Sequence, residues 1–235
     1  MDPQRLFDGA HIRITRQGCG PLWATFDNFD AARRGFDPVR LPQTATTAGY
    51  APCHVQTSGN DWYLGPDLEA ALALTPGTGR ALGISMGAFG ALLFAAALGT
   101  TEVIMVSPRF PAPLGWPRTA KIYATNPPPG WQARAEQATR ALPRGVILYD
   151  PHHPDDKAAT RWLMARNPRL RAVAVPFASH PATSLFRESQ SWGTLQDLML
   201  TCPFDALPAA IARLRRQMRL KSERYRVSIA PVIPS

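Results

Sequence analysis

Apolar and polar positions show two different periodicities along this chain. Near the N-terminus, residues 11–15 alternate with period two and predict an edge strand, and residues 22–26 predict a second strand. From about residue 50 onward, short apolar segments take turns with segments of helical periodicity. The segments that predict strands are residues 53–57, 81–84, 102–107, 145–150 and 170–177. A helix is predicted to begin at residue 66, and further helices are predicted over about 88–98, 131–142, 156–166, 183–200 and 204–224.

Strands that alternate with helices predict an α/β fold, with a mostly parallel central sheet and helices on both faces. The continuously apolar, β-branched segment 102–107 is typical of a strand that is buried on both sides. A chain of 235 residues suits one domain over residues 1–235. Within it, the Pro-rich residues 108–130 predict a short cap-like excursion with minimal or no lid, and residues 31–50 read as irregular.

The pattern G-x-S-x-G stands at Gly83, Ser85 and Gly87, between a predicted strand and a predicted helix. Glycines two residues to either side of a serine allow a sharp strand-to-helix turn, with the hydroxyl projecting at the strand tip. Ser85 is therefore a candidate nucleophile. The alternative is a tight turn in which Ser85 merely begins the helix as its N-cap.

A serine nucleophile needs an imidazole to take its proton and a carboxylate to orient that imidazole. His180 follows the last predicted strand directly, and the acids Asp150, Asp155 and Asp156 follow the strand before it. The carboxyl ends of parallel strands meet at one edge of the sheet, so these groups are expected to lie near Ser85. We favour Asp155 as the acid over Asp150, with Asp156 third.

With its serine, acid and histidine in that order, the chain resembles the α/β-hydrolase superfamily in its compact serine esterase form, over about residues 20–215. The resemblance implies a Ser-His-Asp triad and an oxyanion hole. The N–H of Met86 would supply one donor of that hole, and the N–H of Asn28 or Phe29 the other. The chain departs from common esterases at this loop, because Asp27 stands where a His-Gly or Gly-Gly-Gly run is usual.

Two aromatic residues, Trp62 and Tyr63, follow a strand near the expected site. They are predicted to line an acyl or alcohol pocket, with the Tyr63 hydroxyl as a polar contact. The alternative is that both rings pack a loop against the sheet edge.

The chain has a net charge of +9, and arginines crowd the C-terminal stretch at residues 204–235. A cluster of arginines can attract nucleic acid or another anionic partner. Apolar residues recur there every three or four positions, however, which predicts a packed helix with a solvated arginine face and no nucleic-acid partner. The residues of that apolar face are Leu207, Ile211, Leu214 and Met218.

The three cysteines, Cys19, Cys53 and Cys202, form no CxxC pair, which argues against a disulfide framework and a zinc site. The neighbouring His152 and His153 with two acids are a weak metal candidate, since adjacent loop residues rarely converge on one ion. We expect no metal and no cofactor. No apolar run reaches the roughly 20 residues of a membrane span. The first residues lack the pattern of a signal peptide, so a cytoplasmic location is expected.

These patterns predict a serine hydrolase that cleaves a carboxylic ester or thioester in a small-molecule or glycan-linked acyl substrate. Three alternatives stay open: an acyltransferase that uses the same site, a non-catalytic binding or scaffold domain on the same fold, and an anion-binding protein that uses the basic C-terminal helix. The oligomeric state is not predicted by any of these patterns.

Overall fold

The structure is a computed structural model that describes residues 2–74, 77–112 and 129–229. Within these residues, eight strands form one sheet in the order β1-β2-β4-β3-β5-β6-β7-β8. The strands are β1 Gln4–Asp8, β2 Ile12–Arg16, β3 Leu22–Phe26, β4 Ala51–Thr57, β5 Gly79–Ile84, β6 Thr100–Val106, β7 Gly145–Tyr149 and β8 Leu170–Ala174. β1 and β2 run antiparallel at one edge, and strands β3 to β8 are parallel to one another.

Helices of the described residues lie between and after these strands. They are α1 Gln43–Thr47, α2 Leu68–Leu72, α3 Met86–Phe94, α4 Trp131–Ala141, α5 Pro154–Met164, α6 Ser184–Glu188, α7 Trp192–Thr201, α8 Leu207–Met218 and α9 Glu223–Ile229. None of the helices in this part of the chain is both long and apolar enough to cross a membrane.

Helices cover both faces of the sheet, as β6 shows. Val103 and Met105 of β6 pack into a core with α3, α4 and α5. Ile104 and Val106, which point the other way, pack into a second core with α6, α7 and α8. This two-sided burial explains the continuously apolar sequence of the strand. The predicted α/β class, with a mostly parallel sheet, is confirmed.

Three differences from the predicted elements have local causes. β1 was not predicted because its five residues are half-exposed or exposed and carry no apolar alternation. The short helix α1 lies inside residues 31–50, which were predicted to be irregular. The predicted helix over 183–200 is two helices, because Gln190 between them adopts a left-handed backbone with φ of 56°.

The C-terminal basic stretch contains the predicted amphipathic helix. Leu207, Ile211 and Leu214 of α8 are buried, and Met218 packs partly buried against the same core. A 3-10 turn at Arg219–Lys221 and the exposed α9 follow. The predicted excursion at 108–130 and the tail to residue 235 lie largely or partly outside the described residues.

Sheet order decides which residues can meet. β3, β5, β6, β7 and β8 are consecutive neighbours and parallel, so the segments after them emerge at one edge. The sequence-predicted site residues all lie in the segments that follow these strands or β4.

Candidate active site

Ser85 stands at a strained turn between β5 and α3. Its φ of 54° and ψ of −119° are a conformation that side-chain-bearing residues rarely adopt. The turn is possible because neighbouring glycines allow strand and helix to approach. A Cβ at Gly83 would lie 2.1 Å from the carbonyl oxygen of Gly87. A Cβ at Gly87 would lie 3.0 Å from the carbonyl oxygens of both Phe26 and Asp27.

A chain of hydrogen bonds runs from this serine into the interior. Ser85 Oγ lies 2.8 Å from Nε2 of His180, and His180 Nδ1 lies 2.9 Å from Oδ1 of Asp156. Asp156 is completely buried, and the His180 side chain is 17% exposed. If Nδ1 carries the imidazole proton and donates it to Asp156, the Nε2 lone pair is free to accept from the serine hydroxyl.

The carboxylate at His180 belongs to Asp156, which corrects the preference for Asp155 and Asp150. Helix α5 begins at Pro154, so Asp155 and Asp156 both lie in its first turn. Successive helical residues point about 100° apart, so only one of the two can face His180. Asp155 faces Arg109 instead and forms a buried ion pair with it.

Asp150 holds the loop that carries His180. Its carboxylate accepts hydrogen bonds from the backbone N–H of Ser179 at 2.7 Å, of Phe177 at 3.2 Å and of His152 at 2.9 Å. On the other side of the histidine, the N–H of Ala182 donates to Oγ of Ser107 at 2.8 Å. Asp150 therefore does not contact the imidazole but fixes the backbone on which it stands.

Arg109 is a buried site residue that the sequence reading missed. Its backbone N–H donates to the carbonyl oxygen of Ser85 at 3.3 Å, and its side chain is 4% exposed. The guanidinium contacts Asp155, and its Nε lies 3.4 Å from His180 Nδ1. Its Nη2 lies 3.8 Å from Asp156 Oδ1. One arginine within a Pro-rich segment of an arginine-rich chain carries no signal in sequence.

His153 is a second imidazole beside the same acid. Its Nε2 lies 3.3 Å from Arg109 Nη2, and its Nδ1 lies 3.6 Å from Asp156 Oδ1. Burial is the main cause that lowers the pKa of His153 below its usual 6.5. Asp156 opposes this effect, whereas the positive charge of Arg109 adds to it. His153 therefore accepts from the arginine as a neutral imidazole.

Comparisons with known proteins add structural likeness only. No protein-family model and no curated protein matches the sequence. A capsule O-acetyltransferase of Neisseria meningitidis serogroup A is similar, with a TM-score of 0.51, 11% identity and coverage of 83% of this chain and 92% of that chain. A chain of the Glycosylation Associate Protein complex from Streptococcus agalactiae has a TM-score of 0.51 and 13% identity, over 84% of this chain. This match spans 46% of the Streptococcus chain. A carboxylesterase from Bacillus subtilis matches with a TM-score of 0.46 and 12% identity, over 83% of this chain and 91% of that chain.

The order of features along the sheet edge decides the fold. A strained serine turn follows β5, a carboxylate follows β7 and a histidine follows β8. A serine at a sharp strand-to-helix turn, followed along the chain by an acid and a histidine, is the α/β-hydrolase arrangement. This chain has the α/β-hydrolase fold.

In this α/β-hydrolase fold the loop after β3 lies against the start of α3. Met86 is the first helical residue, and the first N–H groups of a helix have no partner within it. Asn28 is exposed, and its Oδ1 lies 3.1 Å from the position of a Cβ at Gly87. The structure thus places the side chain of Asn28 beside the first turn of α3, the helix that Met86 begins. The role of Met86 and Asn28 in an oxyanion hole stays a prediction.

The carboxylate of Asp27 points away from the serine. It accepts from Arg33 Nη1 at 2.6 Å and from the N–H of Thr57 at 3.0 Å, and it lies 3.1 Å from His54 Nε2. Arg33 also donates to the carbonyl oxygen of Asn28 at 3.1 Å. The acid that replaces the usual glycine run is therefore neutralised by an arginine and tethers the loop.

Trp62 and Tyr63 are buried in the α/β-hydrolase core. Their exposed fractions are 1% and 0%, and both adopt positive φ. The Tyr63 hydroxyl donates to the carbonyl oxygen of Asp27 at 2.7 Å. This corrects the prediction that these rings line a substrate pocket, because side chains so deeply buried offer no surface to a substrate. Tyr63 supports the loop after β3 instead, and Trp62 packs against Phe89 of α3.

Proposed function

We propose that this protein is a serine hydrolase that cleaves a carboxylic ester or thioester through a Ser85-His180-Asp156 triad. The observation that carries the proposal is the continuous hydrogen-bonded path from the buried Asp156 carboxylate through His180 to Ser85 Oγ. Its geometry matches what an activated serine nucleophile requires, with both distances inside 2.6–3.2 Å.

In the first half of the reaction, Ser85 Oγ attacks the acyl carbon while His180 Nε2 takes the hydroxyl proton. The N–H groups of Met86 and Asn28 hold the negative charge that develops on the acyl oxygen. Asp156 stabilises the imidazolium, which then gives its proton to the leaving alcohol or thiol. The bond to the leaving group breaks, and the acyl group remains esterified to Ser85.

In the second half, His180 takes a proton from water as the water oxygen attacks the acyl carbon. The Ser85 ester bond breaks, the serine regains its proton from the imidazolium, and a carboxylic acid leaves. No group beyond the triad, two backbone N–H groups and water enters either half.

An acyltransferase is the second candidate, and the likeness to the capsule O-acetyltransferase favours it. That match covers 83% of this chain and 92% of the other. The two reactions share the acyl-enzyme and differ only in whether water or a hydroxyl compound attacks it. The departure from common esterases at Asp27 does not favour the scaffold alternative, since this carboxylate accepts a hydrogen bond from Arg33.

The test is labelling by a fluorophosphonate probe together with turnover of a short-chain nitrophenyl ester. Ser85→Ala is expected to abolish labelling and turnover, and His180→Ala to abolish turnover. Asp156→Asn is expected to lower kcat by up to about 10⁴-fold, because the imidazole then adopts the wrong tautomer. Asp197→Asn, on the exposed surface of α7, is the matched control and should behave like the wild type.

Turnover or labelling that persists in folded Ser85→Ala would overturn the proposal. Product analysis separates the two candidates. With a monosaccharide added, a hydrolase still releases the free carboxylic acid, whereas an acyltransferase converts the acyl group to a sugar ester.

A further inference from the structure

A buried guanidinium adjoins the histidine and acid of the proposed triad. Arg109 reaches Asp155, and it also lies within 3.4 Å of His180 Nδ1 and 3.8 Å of Asp156 Oδ1. The exposed fractions of the Arg109, Asp155 and Asp156 side chains are 4%, 1% and 0%. Charges so well shielded from water interact strongly, so their arrangement matters for the imidazole beside them.

The contacts at His180 Nδ1 exclude one another. If Nδ1 donates a proton to Asp156, it has no lone pair with which to accept from Arg109 Nε. If it accepts from Arg109, the imidazole proton must sit on Nε2, and that nitrogen cannot take the proton of Ser85. The shorter distance, 2.9 Å to Asp156 against 3.4 Å to Arg109, favours the first arrangement.

Asp155 is the carboxylate that contacts the guanidinium directly, through Arg109 Nη1, while His153 Nε2 accepts from Arg109 Nη2. The arginine backbone is tied to the elbow, because its N–H donates to the carbonyl oxygen of Ser85. The Arg109 side chain is also 4% exposed, so its guanidinium lies inside the buried site, where the groups that contact it set its position. Among the described residues, the other carboxylate within 4 Å of the guanidinium is that of Asp156, 3.8 Å away.

We infer that Asp155 is a positioning residue that holds the Arg109 guanidinium away from His180 and Asp156, and so keeps the imidazole in its active tautomer. Arg109 in turn supplies the positive charge that two adjacent buried carboxylates require. Two neighbouring residues in the first turn of α5 thus have different roles. Asp156 contacts the imidazole, and Asp155 holds the guanidinium of Arg109. This inference rests on the proposed triad.

Three variants test it. Asp155→Asn keeps the shape of the side chain but releases the guanidinium toward Asp156. We therefore expect kcat to fall by about 100-fold or more, with little change in KM. The upper limit is the roughly 10⁴-fold loss that a wrong imidazole tautomer causes. The double variant Asp155→Asn/Arg109→Met lacks the competing cation, so its kcat should be at least tenfold higher than that of Asp155→Asn. Adding Arg109→Lys instead keeps the charge, and activity should stay low.

Rates are compared per labelled active site and well below the unfolding temperature of each variant, so that differences in stability do not enter. A second readout is the imidazole tautomer by ¹⁵N NMR, with His180 assigned by its own substitution. The wild type and Asp155→Asn/Arg109→Met are expected to carry the proton on Nδ1, and Asp155→Asn alone on Nε2. A purely structural ion pair would not move this proton.

Two outcomes overturn the inference: Asp155→Asn that keeps the Nδ1 proton with near-wild-type kcat, or the lysine double variant recovering as well as the methionine one. Failure of the proposed function is distinguishable. In that case the wild type is inert toward ester and probe, while the NMR readout still reports whether Asp155 controls the tautomer.

Discussion

Replacing Gly83 by alanine tests whether the close approach of β5 and α3 is what aims Ser85. A Cβ at this position would lie 2.1 Å from Gly87 O, 2.5 Å from Gly87 C and 2.6 Å from Ala88 Cα. All three are backbone atoms of the helix, so no side chain can rotate out of the way. Reaching the ordinary contact distance of 3.4 Å from 2.1 Å requires strand and helix to separate by 1.3 Å.

This displacement predicts a loss of folding stability and a loss of labelling rate. Forcing a methyl group into a packed interior costs about 1–3 kcal/mol of stability. Ser85 lies directly between the two elements that must separate, and a misplacement of about 1 Å in a catalytic group costs about 100-fold in rate. That rate loss corresponds to about 2.7 kcal/mol of activation free energy.

The assay pairs urea unfolding with the rate of fluorophosphonate labelling of folded protein. Gly193→Ala is the matched control, because nothing lies within 4 Å of a Cβ there and the residue sits in the exposed first turn of α7. It is expected to leave labelling unchanged and to stabilise the protein by up to about 1 kcal/mol. If Gly83→Ala labels within about twofold of wild type and unfolds within about 0.5 kcal/mol of it, the steric account of the elbow is wrong.

Three further predictions follow from other contacts. Asp150→Asn should destabilise the protein by about 1–3 kcal/mol in urea unfolding, because the NH2 group that replaces one carboxylate oxygen cannot accept the N–H of Ser179. Unchanged stability would show that Asp150 does not hold this loop. Tyr63→Phe should cost about 1–3 kcal/mol by leaving the carbonyl of Asp27 without its donor, and an equal loss from Tyr50→Phe would show that the effect is not specific. Because the native pKa of His153 lies below 6.5, the wild type should lose stability as pH falls through 6.5, since the unfolded state binds the proton more readily. His153→Gln should lose less over that range, and identical pH slopes would contradict the reasoning.

Much of the fold could be predicted from the sequence because its strands carry local signatures. β3 was predicted over 22–26 and spans Leu22–Phe26. β6 and β7 are continuously apolar because helices cover both sides of them. β1 carries no such signature, because the residues of this edge strand are half-exposed or exposed and need not be apolar.

The candidate site divides in the same way. Ser85 and His180 could be singled out because each depends on a local feature, a glycine-flanked turn or the end of a strand, and the structure brings them to 2.8 Å. The choice among the aspartates could not be made locally, because it depends on where α5 begins and how it is rotated against β8. Burial of Trp62 and Tyr63 likewise depends on α3 and the loop after β3, which pack over them from elsewhere in the chain.

The sequence by itself determined the α/β alternation from β4 onward, the serine turn and the histidine at a strand end, because these follow from short-range steric and periodic constraints. Only the tertiary structure decided the acid, the direction of the Asp27 carboxylate and the buried Arg109. Those choices join residues as far apart as Arg109 and Asp155, separated by 46 positions. A contact of that kind is selected by the packing of the whole sheet and leaves no pattern in the segments on either side of it.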